Sequence, residues 1–234
     1  MHDSAFIAIL SQAGLTTWLV VISMFVLSIG VWTIMIRKWF GNSRKRRSFI
    51  EWEKSLGIRP TIQDMAKQMK NRPDSPLGRV VQSALKEIEG MSQFVSYDSL
   101  SARGQLVQEA IERGVDVEKD SNERGLTFLA FCTATGPLIG LLGTVWGIMD
   151  AFYQIGKLGS ANITVVGPGI AEALMAVLSG LFVAIPSSLG YNTAAGFNRR
   201  SESIMYIFGS EVVSSFKRGD LLALERAAHA PAKG

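Results

Sequence analysis

Two hydropathy patterns alternate along the chain, and the contrast between them predicts the architecture. Leu15 to Ile36 carries no charged residue. Twenty-two residues of helix rise about 33 Å, enough to cross a hydrocarbon core of roughly 30 Å. A second uncharged run, GLTFLAFCTATGPLIGLLGTVWGIM, extends from Gly125 to Met149. A third crossing lies within Leu158 to Asn198, where Glu172 is the sole charge. Pro168, in a Gly-Pro-Gly triplet, predicts a helix start there, because proline is tolerated in the first turn. The expectation is an all-α membrane protein with three transmembrane helices and a large helical loop, its long helices extending out of the bilayer. Its divisions are a tail 1–14, spans 15–36, 125–151 and 167–191, a charged loop 37–124, a short hairpin 152–166 and a C-terminal helix and tail 192–234.

Between the first two spans the pattern becomes mixed. Val80, Val81, Ala84, Leu85 and Ile88 recur at helical spacing, as do Leu100, Val107 and Ile111, with Val115 beyond. Pro60, Pro73 and Pro76 punctuate the block, and Asn71 to Pro76 reads as a loop. Ser92 or Ser96 is the candidate cap of a long helix running through Gln105–Arg124 into the second span. The mixed charges at Glu109, Glu112, Arg113, Asp116, Glu118 and Lys119 predict a solvated helix face.

Charge fixes the expected orientation. Of 24 Lys and Arg, 17 lie between Arg37 and Arg124. Arg37, Lys38, Arg44, Lys45, Arg46 and Arg47 follow the first span, and Arg199 and Arg200 follow the third. The N-terminal tail has no Lys or Arg, and the hairpin has only Lys157. The positive-inside rule then places the N-terminus outside, with the charged loop and the C-terminus in the cytoplasm. A secretory signal is the rival reading of the first span. It fails because no basic region precedes the apolar run and no small-residue cleavage site follows it. The basic cluster abuts a membrane span and lacks interleaved aromatics, so anionic lipid head groups are the expected contact and nucleic acid is not.

Composition removes other classes. Charged residues make up 19% of the chain, below the roughly 25% of soluble domains. One cysteine, Cys132, cannot form an intrachain bridge. His2 and His229 sit at opposite ends with no Cys or His cluster nearby, so neither a metal nor a cofactor site is expected. GPLIGLLG lacks the lysine of a phosphate-binding loop, and no nucleophile motif occurs, so no enzyme is expected.

Small residues dominate the second span. Thr133, Pro137, Gly140, Thr144, Gly147 and Ala151 form one helical stripe, and Gly136/Gly140 and Gly143/Gly147 are both GxxxG pairs. Such stripes let helix backbones approach closely in lipid. A second stripe, Glu172, Ala176, Ser179, Val183, Pro186 and Gly190, marks the third span, with Gly180 as a further packing glycine. An ionisable group there is costly unless it is neutral, paired or facing water. Two structural readings stand beside ion handling for Glu172, namely an interfacial position and a protonated, merely hydrogen-bonded side chain. Helix packing alone accounts for the glycines, and a lone membrane threonine such as Thr144 is often satisfied on its own helix.

GLLGTVWGIM in the second span, PGIAEAL opening the third, and Ala184-Ile185-Pro186 followed by Tyr191-Asn192 closely resemble the ExbB/TolQ/MotA family, the ExbB and TolQ branch above all. The resemblance is strong over about Gly136 to Asn192. It implies a stator or channel subunit of a proton-driven inner-membrane motor: a homopentamer around two single-span partners of ExbD or TolR type, acting on a TolA-, TonB- or gliding-type effector. It also implies that Thr144 is the channel threonine and Glu172 the channel glutamate. One position departs from the family pattern. The run Glu172-Ala-Leu-Met-Ala-Val177 has valine where ExbB and TolQ carry a second threonine, which argues against a dehydrated sodium path; Ser179 is a weak candidate substitute.

Overall fold

A computed structural model of the chain describes residues 14–55, 60–91, 100–159 and 162–228. Among the described residues six helices follow one another: α1 (Leu15–Ser55), α2 (Ile62–Asn71), α3 (Pro76–Met91), α4 (Leu100–Glu123), α5 (Leu126–Leu158) and α6 (Ile163–Ala228). No strand occurs among the described residues. Three helical stretches, beginning at Leu15, Ser101 and Ile163, are long and apolar enough to cross a membrane. The chain is therefore an all-α membrane protein. The candidate caps Ser92 and Ser96, and both histidines, lie outside the described residues.

The described residues fall into two compact units. The apolar unit takes its helices from the ranges Met1–Trp39 and Gly125–Ala195. Here α1 contributes Val20, Met24, Leu27, Val31 and Ile34, spaced alternately by four and three, to a cluster with Leu129, Cys132 and Val183. The spacing keeps one stripe of α1 turned to its neighbours. The opposite stripe, including Trp18, Ile22, Phe25, Ile29 and Trp32, is bare, as lipid requires. Gly125 has φ +83° and separates α4 from α5. A Cβ there would meet Ile34 Cγ2 at 3.1 Å, so both conformation and space call for glycine.

The sequence misplaces both ends of the hairpin. α5 continues through Leu158 and stops at Gly159, whose φ is +63° and whose N–H donates to the Ile155 carbonyl at 2.8 Å. α6 begins at Ile163, five residues before Pro168, so Pro168 lies inside the helix. The start signal is Asn162. Its Oδ1 accepts the Thr164 N–H at 3.1 Å, the bond an N-cap makes to the second helical residue. Residues 152–158 and 163–166 are thus helical.

The charged unit draws on Phe40–Arg124 and Gly196–Gly234. Its core joins Trp52 of α1, Met65 of α2, Val80, Val81 and Ala84 of α3, Val107, Ile111 and Val115 of α4, and Met205 and Val212 of α6. Trp52 is fully buried; its indole N–H donates to Ser75 Oγ at 3.0 Å, and its ring stands edge-on to Phe208 with centroids 5.4 Å apart. Ser75 precedes α3 and accepts the Gly78 N–H at 3.0 Å, while Pro76 fills the first helical position. Thr61 and Asp64 form a reciprocal capping box that starts α2.

One expectation for this unit is corrected. Glu118 does not belong to a solvated face. It is 2% exposed and takes both oxygens to Arg79. Asp116 and Glu112, by contrast, face solvent.

Candidate functional site

The first layer of the site is backbone contact. A Cβ on Gly136 would lie 3.1 Å from the Gly180 carbonyl oxygen, one on Gly140 3.1 Å from that of Ala176, and one on Gly147 2.9 Å from that of Gly169. Each pair sums to the same register, so α5 and α6 run antiparallel and meet at every glycine step. Gly180 in turn faces the Gly136 carbonyl and the Gly140 Cα. Gly143 is where three helices meet, since Ala176 of α6 and Val20 of α1 both lie against it. In lipid, where apolar burial drives little association, such backbone contact supplies the packing energy. Pro137 and Pro186 lie inside their helices, and Ser187, beside Pro186, donates to the Val183 carbonyl at 2.7 Å.

The polar residues divide on this frame. The Thr144 hydroxyl donates to the Leu141 carbonyl at 2.6 Å, and Ser179 donates to Ala176 at 2.8 Å. Both bonds stay within the residue's own helix. Glu172 reaches another helix: its Oε2 accepts the Thr17 hydroxyl at 2.7 Å and the Gly14 N–H at 3.3 Å. Glu172 is half-buried and Thr17 buried. Within one chain, then, Glu172 is held by α1, and Thr144 makes its bond elsewhere.

This contact also fixes depth. Glu172 stands nine residues into α6, about 13.5 Å from its start. It is level with the first turn of α1, at one end of the Leu15–Ile36 stretch. Asp150, one turn beyond Gly147 on α5, is an exposed carboxylate that the sequence reading passed over. Thr17 was passed over as well. The available signal was a hydroxyl pair, Thr16-Thr17, opening an otherwise apolar run.

The basic residues after the first span separate likewise. Arg37, Arg44, Arg46 and Arg47 are exposed, and Lys38 is half-buried. Arg47 lies 3.7 Å from Glu51. Lys45 turns inward, which corrects its grouping with lipid-facing charges: its Nζ donates to Asn122 Oδ1. Removal from water pushes its pKa below the ordinary lysine value, partly offset by the nearby Glu118 charge. Asn198 of α6 closes this cluster by donating to the Asn122 carbonyl at 2.9 Å.

Comparison with known proteins places the frame in a family. Residues 72–207 match the model of the MotA/TolQ/ExbB proton channel family. The Tol-Pal system protein TolQ of Pseudomonas aeruginosa is 29% identical over 209 residues, covering 87% of this chain and 89% of its own. The biopolymer transport protein ExbB of Xanthomonas campestris pv. campestris is 33% identical over 183 residues, or 75% and 72% of the two chains. TolQ of Haemophilus influenzae is 31% identical over 189 residues, or 80% and 82%. The matched stretch contains the whole α5–α6 glycine seam together with Thr144 and Glu172, and the chain belongs to the MotA/TolQ/ExbB proton channel family.

Proposed function

We propose that this chain is the channel subunit of a motor driven by the proton-motive force in the bacterial inner membrane. Five copies surround two copies of a single-span partner of ExbD or TolR type, and the assembly does work on an effector in the periplasm. Tol-Pal envelope maintenance is the favoured system, because the TolQ relative from Pseudomonas aeruginosa is matched along 89% of its length. The higher identity to an ExbB makes TonB-dependent uptake the second reading; a gliding-motility motor is a further member of the same class. The N-terminus lies in the periplasm, and the charged unit and C-terminus lie in the cytoplasm, as the Lys and Arg distribution favours.

The observation that carries this reading is Glu172, the one charge between Leu158 and Asn198, held as an acceptor by two donors at the start of another helix. Ion pairing within the span is not available to it, since no Lys or Arg lies in the apolar runs. Where neighbouring subunits of the proposed assembly cover it, a half-buried carboxylate acts on a proton-binding group beside it more strongly than one at an open surface. In the proposed assembly Glu172 orients water and tunes the proton affinity of the partner's acidic group, and Thr144 offers a hydrogen bond along the route. Protons suit this chain better than sodium, because Val177 supplies no oxygen ligand. The opposing class is a non-conducting scaffold in which Glu172 is a static hydrogen-bonding group. The test is complementation of a deletion strain with Glu172→Ala, scoring detergent resistance and siderophore uptake with complex levels in parallel. Loss of output at normal complex levels supports the motor; full output overturns it in favour of the scaffold.

A further inference from the structure

We infer that Thr17 is a positioning residue for the Glu172 carboxylate, a role that rests on the ion-path reading of Glu172 given above. Six hydroxyls elsewhere in the apolar unit behave as isolated membrane hydroxyls do. Ser23, Thr33, Thr133, Thr144, Ser179 and Ser187 each donate to a carbonyl three or four residues back on their own helix. Thr17 departs from that habit and donates at 2.7 Å to a side chain on α6. At that length the bond is fully formed, and it spends the one donor of Thr17 on the Glu172 side chain.

The geometry gives the bond its purpose. Gly14 is the residue before α1, and its carbonyl takes the Trp18 N–H at 3.2 Å. Its own N–H is one of the donors a helix start leaves without an intrahelical partner. Glu172 accepts that N–H and the Thr17 hydroxyl together, both through Oε2. A carboxylate from α6 thus closes the first turn of α1. The backbones on both sides are already fixed: Ala173 and Ala176, next to Glu172 and one turn after it, press on Gly147 and Gly143, and Val20, one turn after Thr17, presses on Gly143. What remains free is the glutamate side chain itself, and Thr17 selects its rotamer. With Oε2 engaged, Oε1 is the oxygen these two donors leave to meet a proton or water.

The test uses the full complex, co-expressed with its partner subunit. Thr17→Val keeps the shape and removes the donor, whereas Thr17→Ser keeps the donor. A hydrogen bond lost from one rotamer lowers its population by up to about ten-fold. Thr17→Val should therefore cut output per assembled complex by up to about ten-fold, and Thr17→Ser should restore most of it. Infrared spectra should show the Glu172 carboxylate band, identified by its loss in Glu172→Ala, shifted in Thr17→Val and unshifted in Thr17→Ser. An unshifted band in Thr17→Val, equal loss in both variants, or loss matched by loss of assembled complex overturns the inference. The band reports the Thr17 contact whether or not Glu172 carries ions, so full output from Glu172→Ala would sink the ion path and leave the positioning claim to the spectra.

Discussion

Arg79 grips Glu118 with two nitrogens, Nη2 lying 2.9 Å from Oε2 and Nε against Oε1, while Glu118 is 2% exposed and the arginine is half-buried, its side chain 40% exposed. The partners are unequal in burial, and removing them should have unequal cost. Arg79→Ala strands a buried carboxylate, a loss of about 3–5 kcal/mol in comparable pairs. Glu118→Ala strands an arginine that can turn to water, so its cost should be clearly smaller. Thermal or denaturant unfolding of the purified protein in mild detergent measures both; equal costs, or a larger cost for Glu118→Ala, would contradict the burial argument. The same pairing holds the Arg79 pKa above the ordinary arginine value, so the guanidinium stays charged throughout.

Lys45 supplies a pH test of opposite character. Desolvation lowers its pKa from 10.5 in the folded protein. The unfolded chain therefore binds this proton more tightly than the folded one. Between the lowered pKa and 10.5, stability from Lys45 should rise with pH, since the unfolded state holds more protons there. Lys45→Met should flatten that rise, seen as a reduced slope of melting temperature against pH from neutral to alkaline. A triple Arg44→Gln, Arg46→Gln, Arg47→Gln variant, altering exposed groups, should leave the slope intact and instead reduce the fraction inserted in the proposed orientation, read by topology reporters.

Glycine substitutions should separate seam from surface. Gly180→Ala would put a Cβ 2.5 Å from the Gly136 carbonyl oxygen and 3.1 Å from the Gly140 Cα, both of them backbone atoms that cannot yield without moving a helix. Loss of thermal stability and of membrane level is expected, larger again for Gly180→Val. Gly156→Ala, inside α5 with nothing within 4 Å, should be neutral or gain up to about 1 kcal/mol from helix propensity. Equal behaviour of Gly180→Ala and Gly156→Ala would refute the close approach.

The span count and the small-residue stripes could be read from the chain because each depends on local periodicity. What failed depended on tertiary partners or on a stronger local signal nearby. Pro168 drew the helix start away from Asn162, whose side-chain cap is a single hydrogen bond. Glu118 looked solvated because its neighbours Asp116 and Lys119 are charged, and Arg79 lies 39 residues away in sequence. Lys45 sits among arginines and was grouped with them, although Asn122, 77 residues on, draws it inward. Thr17 and Glu172 are separated by 155 residues, and no spacing rule joins them. Glu172 itself was visible because one charge in an apolar run has few innocent explanations.

The last prediction concerns Val177, where an ExbB- or TolQ-like threonine is absent. Its Cα lies 3.1 Å from where a Gly140 Cβ would stand, so the residue sits at the α5–α6 seam and bulk there is constrained. Threonine matches valine in shape and replaces one methyl by a hydroxyl. That hydroxyl has a ready acceptor on its own helix, the Ala173 carbonyl, in the manner of Thr133 on Leu129 at 2.8 Å. Val177→Thr should accordingly assemble at normal levels and keep or modestly raise motor output. Thr144→Ala should reduce output less than Glu172→Ala, because water or backbone carbonyls can replace a hydroxyl but not a charge. Output of all three variants, measured per complex in sodium-free and sodium-containing media, decides the matter. A proton path predicts the same ranking in both media, whereas sodium dependence appearing in the unaltered protein would overturn the argument from the missing hydroxyl.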